Sequence, residues 1–144
     1  MKQIARSAIV EHSAAEMYAL VEDIEAYPRF LPWCVAAVVH ERQPGRAKAT
    51  LTIGVGGLRH SFTTLNDNRP GEAIDMRLLE GPFRHFAGQW RFVALSPQAC
   101  RIEFSLQYEF SSRALGRLLS PLFDGIADSM VDAFVRRAAE IYED

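Results

Sequence analysis

Side chains able to carry chemistry are few and scattered in this sequence. Its four histidines, His12, His40, His60 and His85, include no pair at zinc-site spacing. His60 falls on the apolar side of an alternating stretch, two residues before Phe62. It reads first as a satisfied core or rim histidine and second as a hydrogen-bonding group in a cavity. Ser61 beside it is adjacency, not a triad, because the sequence has no G-x-S-x-G elbow. Gly54-Val55-Gly56-Gly57 does not open a helix, so a hairpin turn is a better reading than a dinucleotide fingerprint. Glu103 and Glu109 fall on the polar side of their strand. Glu80, beside a Gly-Pro turn, could reach a cavity mouth. Acid–base chemistry would rest on His60 and Glu80 alone, so no catalytic residue, metal ligand or required cofactor is assigned. Cys34 and Cys100 read as small buried side chains in a reduced setting.

Bulky apolar side chains are far more abundant, and periodicity says which elements hold them. From Ser112 to Tyr142, Leu115, Leu118, Leu119, Leu122, Phe123, Ile126, Met130, Val131, Phe134, Val135, Ala138, Ile141 and Tyr142 recur mostly at spacings of three and four. That predicts one long amphipathic helix. Arg113, Arg117, Asp124, Asp128, Asp132, Arg136 and Glu140 form its polar face. Ser120-Pro121 can be read as an N-cap and N1 proline, and Gly125 weakens a helix, so a short helix, a break near Ser120 and a long helix are expected.

Such a stripe needs a covering surface, and the preceding chain supplies alternating strands. Residues 2–10 predict a first strand. Ser13 and Glu16 form a capping box for a helix to about Val21, and a short second helix covers Ile24 to Tyr27, before Pro28. Strands follow at Val35–Glu41, Arg46–Ile53, Leu58–Thr64, Ile74–Leu78, Phe86–Val93 and Cys100–Phe110, with turns at Pro44-Gly45, Gly54–Gly57, Asn68–Gly71, Glu80–Arg84 and Ser96–Gln98. The alternation of Cys100, Ile102, Phe104, Leu106, Tyr108 and Phe110 with Arg101, Glu103, Ser105, Gln107 and Glu109 requires one dry and one wet face, as in an antiparallel sheet. The expected fold is α+β: a curved antiparallel sheet of six or seven strands gripping a long C-terminal helix, with two short helices after the first strand. Tyr27-Pro28-Arg29-Phe30-Leu31-Pro32-Trp33-Cys34 is too rich in proline for regular structure and must plug the core or face a ligand.

The 144 residues suffice for a single domain, 1–144, with a sizeable core. Net charge −2 and a pI of about 6.1 give no global attraction to nucleic acid, and DNA is not an expected partner. No apolar run reaches membrane-span length and the start has no secretory h-region. A cytoplasmic location is expected, with peripheral contact at the inner membrane as an extension.

Four motifs then carry a resemblance: Tyr27 to Cys34, Glu80-Gly81-Pro82-Phe83, Gly88-Gln89-Trp90-Arg91-Phe92, and Cys100-Arg101-Ile102-Glu103-Phe104 with Tyr108-Glu109-Phe110. With them the chain, from Lys2 to about Tyr142, resembles the coenzyme Q-binding START-like family of the SRPBCC superfamily, often labelled oligoketide cyclases or polyketide cyclase/dehydrases. Within it the chain is most similar to the ribosome-association toxin (RatA) branch, departing at Ser120-Pro121. The resemblance implies the helix-grip (START/Bet v 1-like) fold and a hydrophobic cavity. In one branch it implies a ubiquinone-like lipid presented to the respiratory chain, in the other binding to the large ribosomal subunit and blocked subunit joining.

Two sets of residues follow as expectations. A cavity would be bounded by Phe30, Trp33 and Phe83 at its mouth and by Phe62, Met76, Phe86, Trp90, Phe104, Tyr108, Phe123, Ile126 and Met130 within, with Tyr108 and His60 bonding quinone oxygens. A prenylated ring would be held mainly by burial, at about 25 cal/mol per Å² of apolar surface. Contacts to ribosomal RNA would fall to Arg84 (with His85), Arg113, Arg117, Arg136 and Arg137, although each cluster taken singly reads first as solvated helix or loop charge.

Overall fold

The computed structural model describes residues 1–142, and the side chain of Val55 is not among the described parts. The chain runs β1 (Lys2–Val10), α1 (Ala14–Glu22), a 3-10 helix (Ile24–Arg29), β2 (Cys34–Gln43), β3 (Arg46–Val55), β4 (Leu58–Arg69), β5 (Ala73–Glu80), β6 (Phe83–Ser96), β7 (Ala99–Phe110) and α2 (Arg113–Tyr142). The seven strands form one sheet in the order β1-β7-β6-β5-β4-β3-β2, with every pair antiparallel. Successive strands are neighbours except β1, which returns to β7. This is the helix-grip arrangement: α2 lies on the sheet's inner face.

Local chemistry accounts for the element ends. Ser13 Oγ accepts from Glu16 N at 3.0 Å while Glu16 Oε1 accepts from Ser13 N at 2.9 Å, so both halves of the capping box form. The 3-10 helix runs through Pro28 to Arg29, past the expected end at Tyr27. Tyr27 still accepts from Phe30 N (3.2 Å) and Leu31 N (2.9 Å), bonds that need no donor from Pro28.

Helix α2 is continuous for 30 residues, and the expected break at Ser120 is absent. Ser112 caps it instead, its Oγ accepting from Leu115 N at 3.1 Å. Pro121 and Arg117 both face solvent. The one carbonyl deprived of its donor is therefore left to water rather than to the core, and the helix tolerates the proline. Two of the supposed solvent-facing aspartates are also tied down. Lys2 Nζ stands 3.5 Å from Asp124 and Arg6 Nη2 2.5 Å from Asp128, so residues four apart on α2 meet residues four apart on β1.

The sheet curves through bulges at Cys34/Ala36, Val39/Glu41, Thr63/Thr64, Phe83/His85 and Ala94/Ser96. Strand β4 also extends five residues beyond the expected Thr64, carrying its inward side to Asn66. Gly81, with φ +152°, turns β5 into β6 so closely that a Cβ would sit 2.6 Å from Phe62 Cβ. The turn thereby swings Phe83 inward. Among the described residues no helix is long and apolar enough to cross a membrane.

Gly81→Ala should cost about 1–3 kcal/mol, from strained backbone and the clash with Phe62. Urea unfolding measures it; an unchanged midpoint would contradict this account of the turn.

Candidate functional site

The inward side of α2 buries Leu119, Phe123, Ile126, Ala127, Val131, Phe134 and Ala138. Two aromatic clusters grip this stripe. At the N-terminal half of α2, Phe123 contacts Phe62, Phe83, Phe86, Tyr108 and Phe110, with ring centroids 4.7–6.4 Å apart. Nearer its C-terminus, Phe134 contacts Tyr27, Phe30 and Trp90 at 5.3–5.5 Å, and Trp90 packs on Phe104 at 4.6 Å. Phe123 and Phe134 are eleven positions apart, about 16 Å along a helix axis. Among the described residues no ring contact joins the clusters.

A cavity of about 60 Å³ lies between them. Its helix wall is Ile126, Ala127 and Met130, and its ends are Phe123 and Phe134. Its sheet wall contains the small or slender side chains Ala49, Thr64 and Asn66, with Leu51, Ile53, Phe62, Met76, Phe86, Trp90, Phe104 and Leu106 around them. Ile24, Tyr27 and Trp33 close the remaining side. The gap opens where β3 and β4 carry alanine, threonine and asparagine opposite α2, while β6 and β7 carry aromatic rings. Met76 reaches the cavity over Gly88, where a Cβ would come within 2.6 Å of Met76 Cε.

The expected cavity residues divide accordingly. Trp33, Phe62, Met76, Phe86, Trp90, Phe104, Phe123, Ile126 and Met130 line this space, and four do not. Phe30 is half-buried outside it, stacked edge-on against Tyr27 and Phe134 and covered by the Arg137 guanidinium 5.0 Å from its ring. Phe83 does not stand at a mouth: it stacks on Phe110 at 4.9 Å within the first cluster. His60 lies with Phe83 on a separate small void of about 20 Å³, behind Phe62. Tyr108 is buried, but its hydroxyl points away and donates to Asp124 in the groove near Lys2. Neither His60 nor Tyr108 can bond a ligand in this cavity as placed.

Several lining residues were not expected from the sequence: Ile24, Tyr27, Ala49, Leu51, Ile53, Thr64, Asn66, Leu106 and Ala127. For Asn66 a signal existed, since it continues the inward period of two after Phe62 and Thr64. Taking the strand to end at Thr64 hid it.

The cavity holds little that can titrate. Tyr27 is its one ordinary acid or base among the described lining residues; its hydroxyl donates to Val21 O at 2.5 Å, and burial drives its pKa upward. Cys34, just outside, donates Sγ–H to Ala36 O at 3.4 Å, and burial pushes its thiol up to about 11. Cys100 is buried with its pKa also raised, first by burial. Neither is an activated thiolate. Glu80 is exposed, and no group of His, Cys, Asp and Glu among the described residues could hold a metal ion. The site can enclose apolar matter and offer a few hydrogen bonds; it presents no placed general acid or base.

The arginines lie outside. Arg113 and Arg117 are exposed on the first turns of α2, and Arg136 is exposed near its end. Arg84 stands 3.6 Å from Glu109. His85 is exposed next to it.

Comparisons with known proteins agree with this architecture. The family described as polyketide cyclase / dehydrase and lipid transport matches residues 10–135. The ribosome association toxin RatA of Escherichia coli K12 is 41% identical over 142 residues, 99% of this chain and 90% of that protein. The mitochondrial coenzyme Q-binding protein COQ10 homolog B of Xenopus laevis is 28% identical over 97% of this chain and 59% of that protein. The solved structure of a START superfamily protein from Mycobacterium smegmatis superposes with a TM-score of 0.80 at 22% identity, covering 96% of this chain and 98% of that one. By its matched length and by its 41% identity to RatA over nearly the whole chain, the protein belongs to the polyketide cyclase / dehydrase and lipid transport family.

Proposed function

We propose that the chain is a non-enzymatic binder of a hydrophobic small molecule, a prenylated quinone of the ubiquinone type or a related isoprenoid lipid, held under α2 and presented to membrane-bound respiratory enzymes. The observation that carries this reading is the lining of the cavity: apolar side chains on every wall, one buried polar pair, Thr64 and Asn66, and no free acid or base. Such a lining rewards apolar area and shape. The similarity to a protein named for coenzyme Q binding supports the ligand class.

Size sets a condition. The cavity of about 60 Å³ is smaller than the roughly 150 Å³ that takes up benzene and far below the ~300–1,000 Å³ of drug-sized sites. Uptake therefore requires side chains to move. Met76 and Met130 are half-buried, unbranched and adaptable. The segment carrying Trp33 is held by Cys34 N to Leu31 O and Gly54 N to Trp33 O, both 2.9 Å.

A second reading, association with the large ribosomal subunit, is favoured by the near-full-length similarity to proteins named ribosome association toxins. It would use the outer surface, with Arg113 and Arg117 as the exposed pair on α2. The two readings occupy different parts of the molecule and do not compete for residues.

Protein purified gently from a quinone-producing host should yield near-stoichiometric prenylated quinone on solvent extraction and mass spectrometry. The double substitution Ala49→Leu with Ala127→Leu should fill the cavity and remove the quinone while circular dichroism stays native. An empty extract from folded wild type, or an undiminished load in the filled variant, would sink the carrier reading.

For the second reading, the double reversal Arg113→Glu, Arg117→Glu should weaken co-sedimentation with large subunits about tenfold or more. Wild-type binding should drop steeply between about 50 and 200 mM salt. Binding indifferent to both salt and charge reversal would count against it.

A further inference from the structure

Asn66 sits on β4 in register with Ala47 on β3 and Met76 on β5, and is only 4% exposed. Its Oδ1 accepts from the hydroxyl of Thr64, also buried, at 2.9 Å. In this arrangement the carboxamide oxygen is occupied by Thr64 and the amide nitrogen, Nδ2, turns to the remaining side. Nδ2 makes no hydrogen bond among the described residues, and Asn66 is one of the residues lining the cavity. A buried amide N–H without a partner is costly in an apolar enclosure. Ala49 and Met76, the lining residues in register with Thr64 and Asn66 on the adjoining strands, carry no strong acceptor.

We infer that Asn66, held by Thr64, is the specificity-determining residue of the cavity, donating a hydrogen bond from Nδ2 to a carbonyl oxygen on the ring end of the ligand. This rests on the cavity being the binding site, as proposed above, and adds which end of the ligand is recognised and by what atom. The class selected is a carbonyl-bearing ring with an apolar tail. A hydrocarbon of the same shape leaves Nδ2 unpaired and binds more weakly. Thr64 is a positioning residue: without its hydroxyl the carboxamide is free to turn, and the donor is no longer presented in one direction.

The test uses two probes of matched size, geranyl-1,4-benzoquinone and geranylbenzene, titrated calorimetrically into the full chain. Wild type should bind the quinone about tenfold more tightly than the hydrocarbon, the worth of one well-made buried hydrogen bond. Asn66→Leu should lose that preference while binding geranylbenzene at least as well, and Thr64→Val should reduce it. In ¹⁵N-labelled wild type the Asn66 side-chain amide protons should move downfield with the quinone and not with geranylbenzene, a readout that stands if either variant folds poorly. Equal affinity of wild type for both probes, or a quinone preference surviving in Asn66→Leu, would overturn the role of Asn66 and leave the cavity as the site. Failure of wild type to bind either probe would overturn both.

Discussion

The structure depends on one constraint: the apolar stripe of a 30-residue helix must be covered by a single curved sheet. Coverage is tight at two places, where Phe123 and Phe134 insert into separate aromatic clusters. Edge-to-face and tilted ring contacts of this kind add to plain burial and fix the helix in rotation and register. Between the two anchors the helix cannot also approach the sheet wherever β3 and β4 present small side chains. The cavity is a consequence of that spacing, not a separate feature added to the fold.

The outer edge of the same helix is held differently. Lys2 and Arg6 of β1 meet Asp124 and Asp128, and Tyr108 of β7 donates to Asp124. Exposed pairs of this kind contribute little stability each, but they set the side of α2 that faces β1. At the far end Tyr142 Oη donates to Glu16 O at 2.9 Å, joining the end of α2 to α1. Polar contacts thus line the seam between helix and sheet edge, and apolar rings fill the inside. The cavity receives few polar atoms because the polar residues of α2 lie on its other faces, Asp124 and Asp128 along that seam and Arg113, Arg117, Asp132, Arg136 and Glu140 in solvent.

Much of this was legible in the sequence. The strand alternation, the capping box and the stripe of α2 are local periodicities, and they led to the right architecture. The supposed break at Pro121 was not, because a proline's effect depends on whether the freed carbonyl faces solvent or core. Site residues on long regular strands, such as Trp90 and Phe104, were found for the same reason as the fold. Tyr108 and His60 were assigned correctly to the inward side of their strands, yet facing inward does not say which void is met. Tyr108 meets Asp124 and His60 sits behind Phe62. Asn66 was passed over because the strand was taken to end at Thr64; the extension of β4 to Arg69 carries the same inward period of two on to it.

Among the relatives, one name refers to the ribosome and another to coenzyme Q, and a shared fold does not choose between them. What both the proposed carrier role and the role of Asn66 require is narrower: entry of a hydrophobic ligand into the space between the two aromatic anchors. The chain's four methionines make that directly measurable. Met76 and Met130 line the cavity, Met17 is fully buried without lining it, and Met1 is exposed. With ¹³C-labelled methionine methyl groups, titration with a short-chain ubiquinone should move the Met76 and Met130 resonances together and leave Met17 and Met1 in place. Unmoved Met76 and Met130 signals in the presence of saturating ligand would contradict the account.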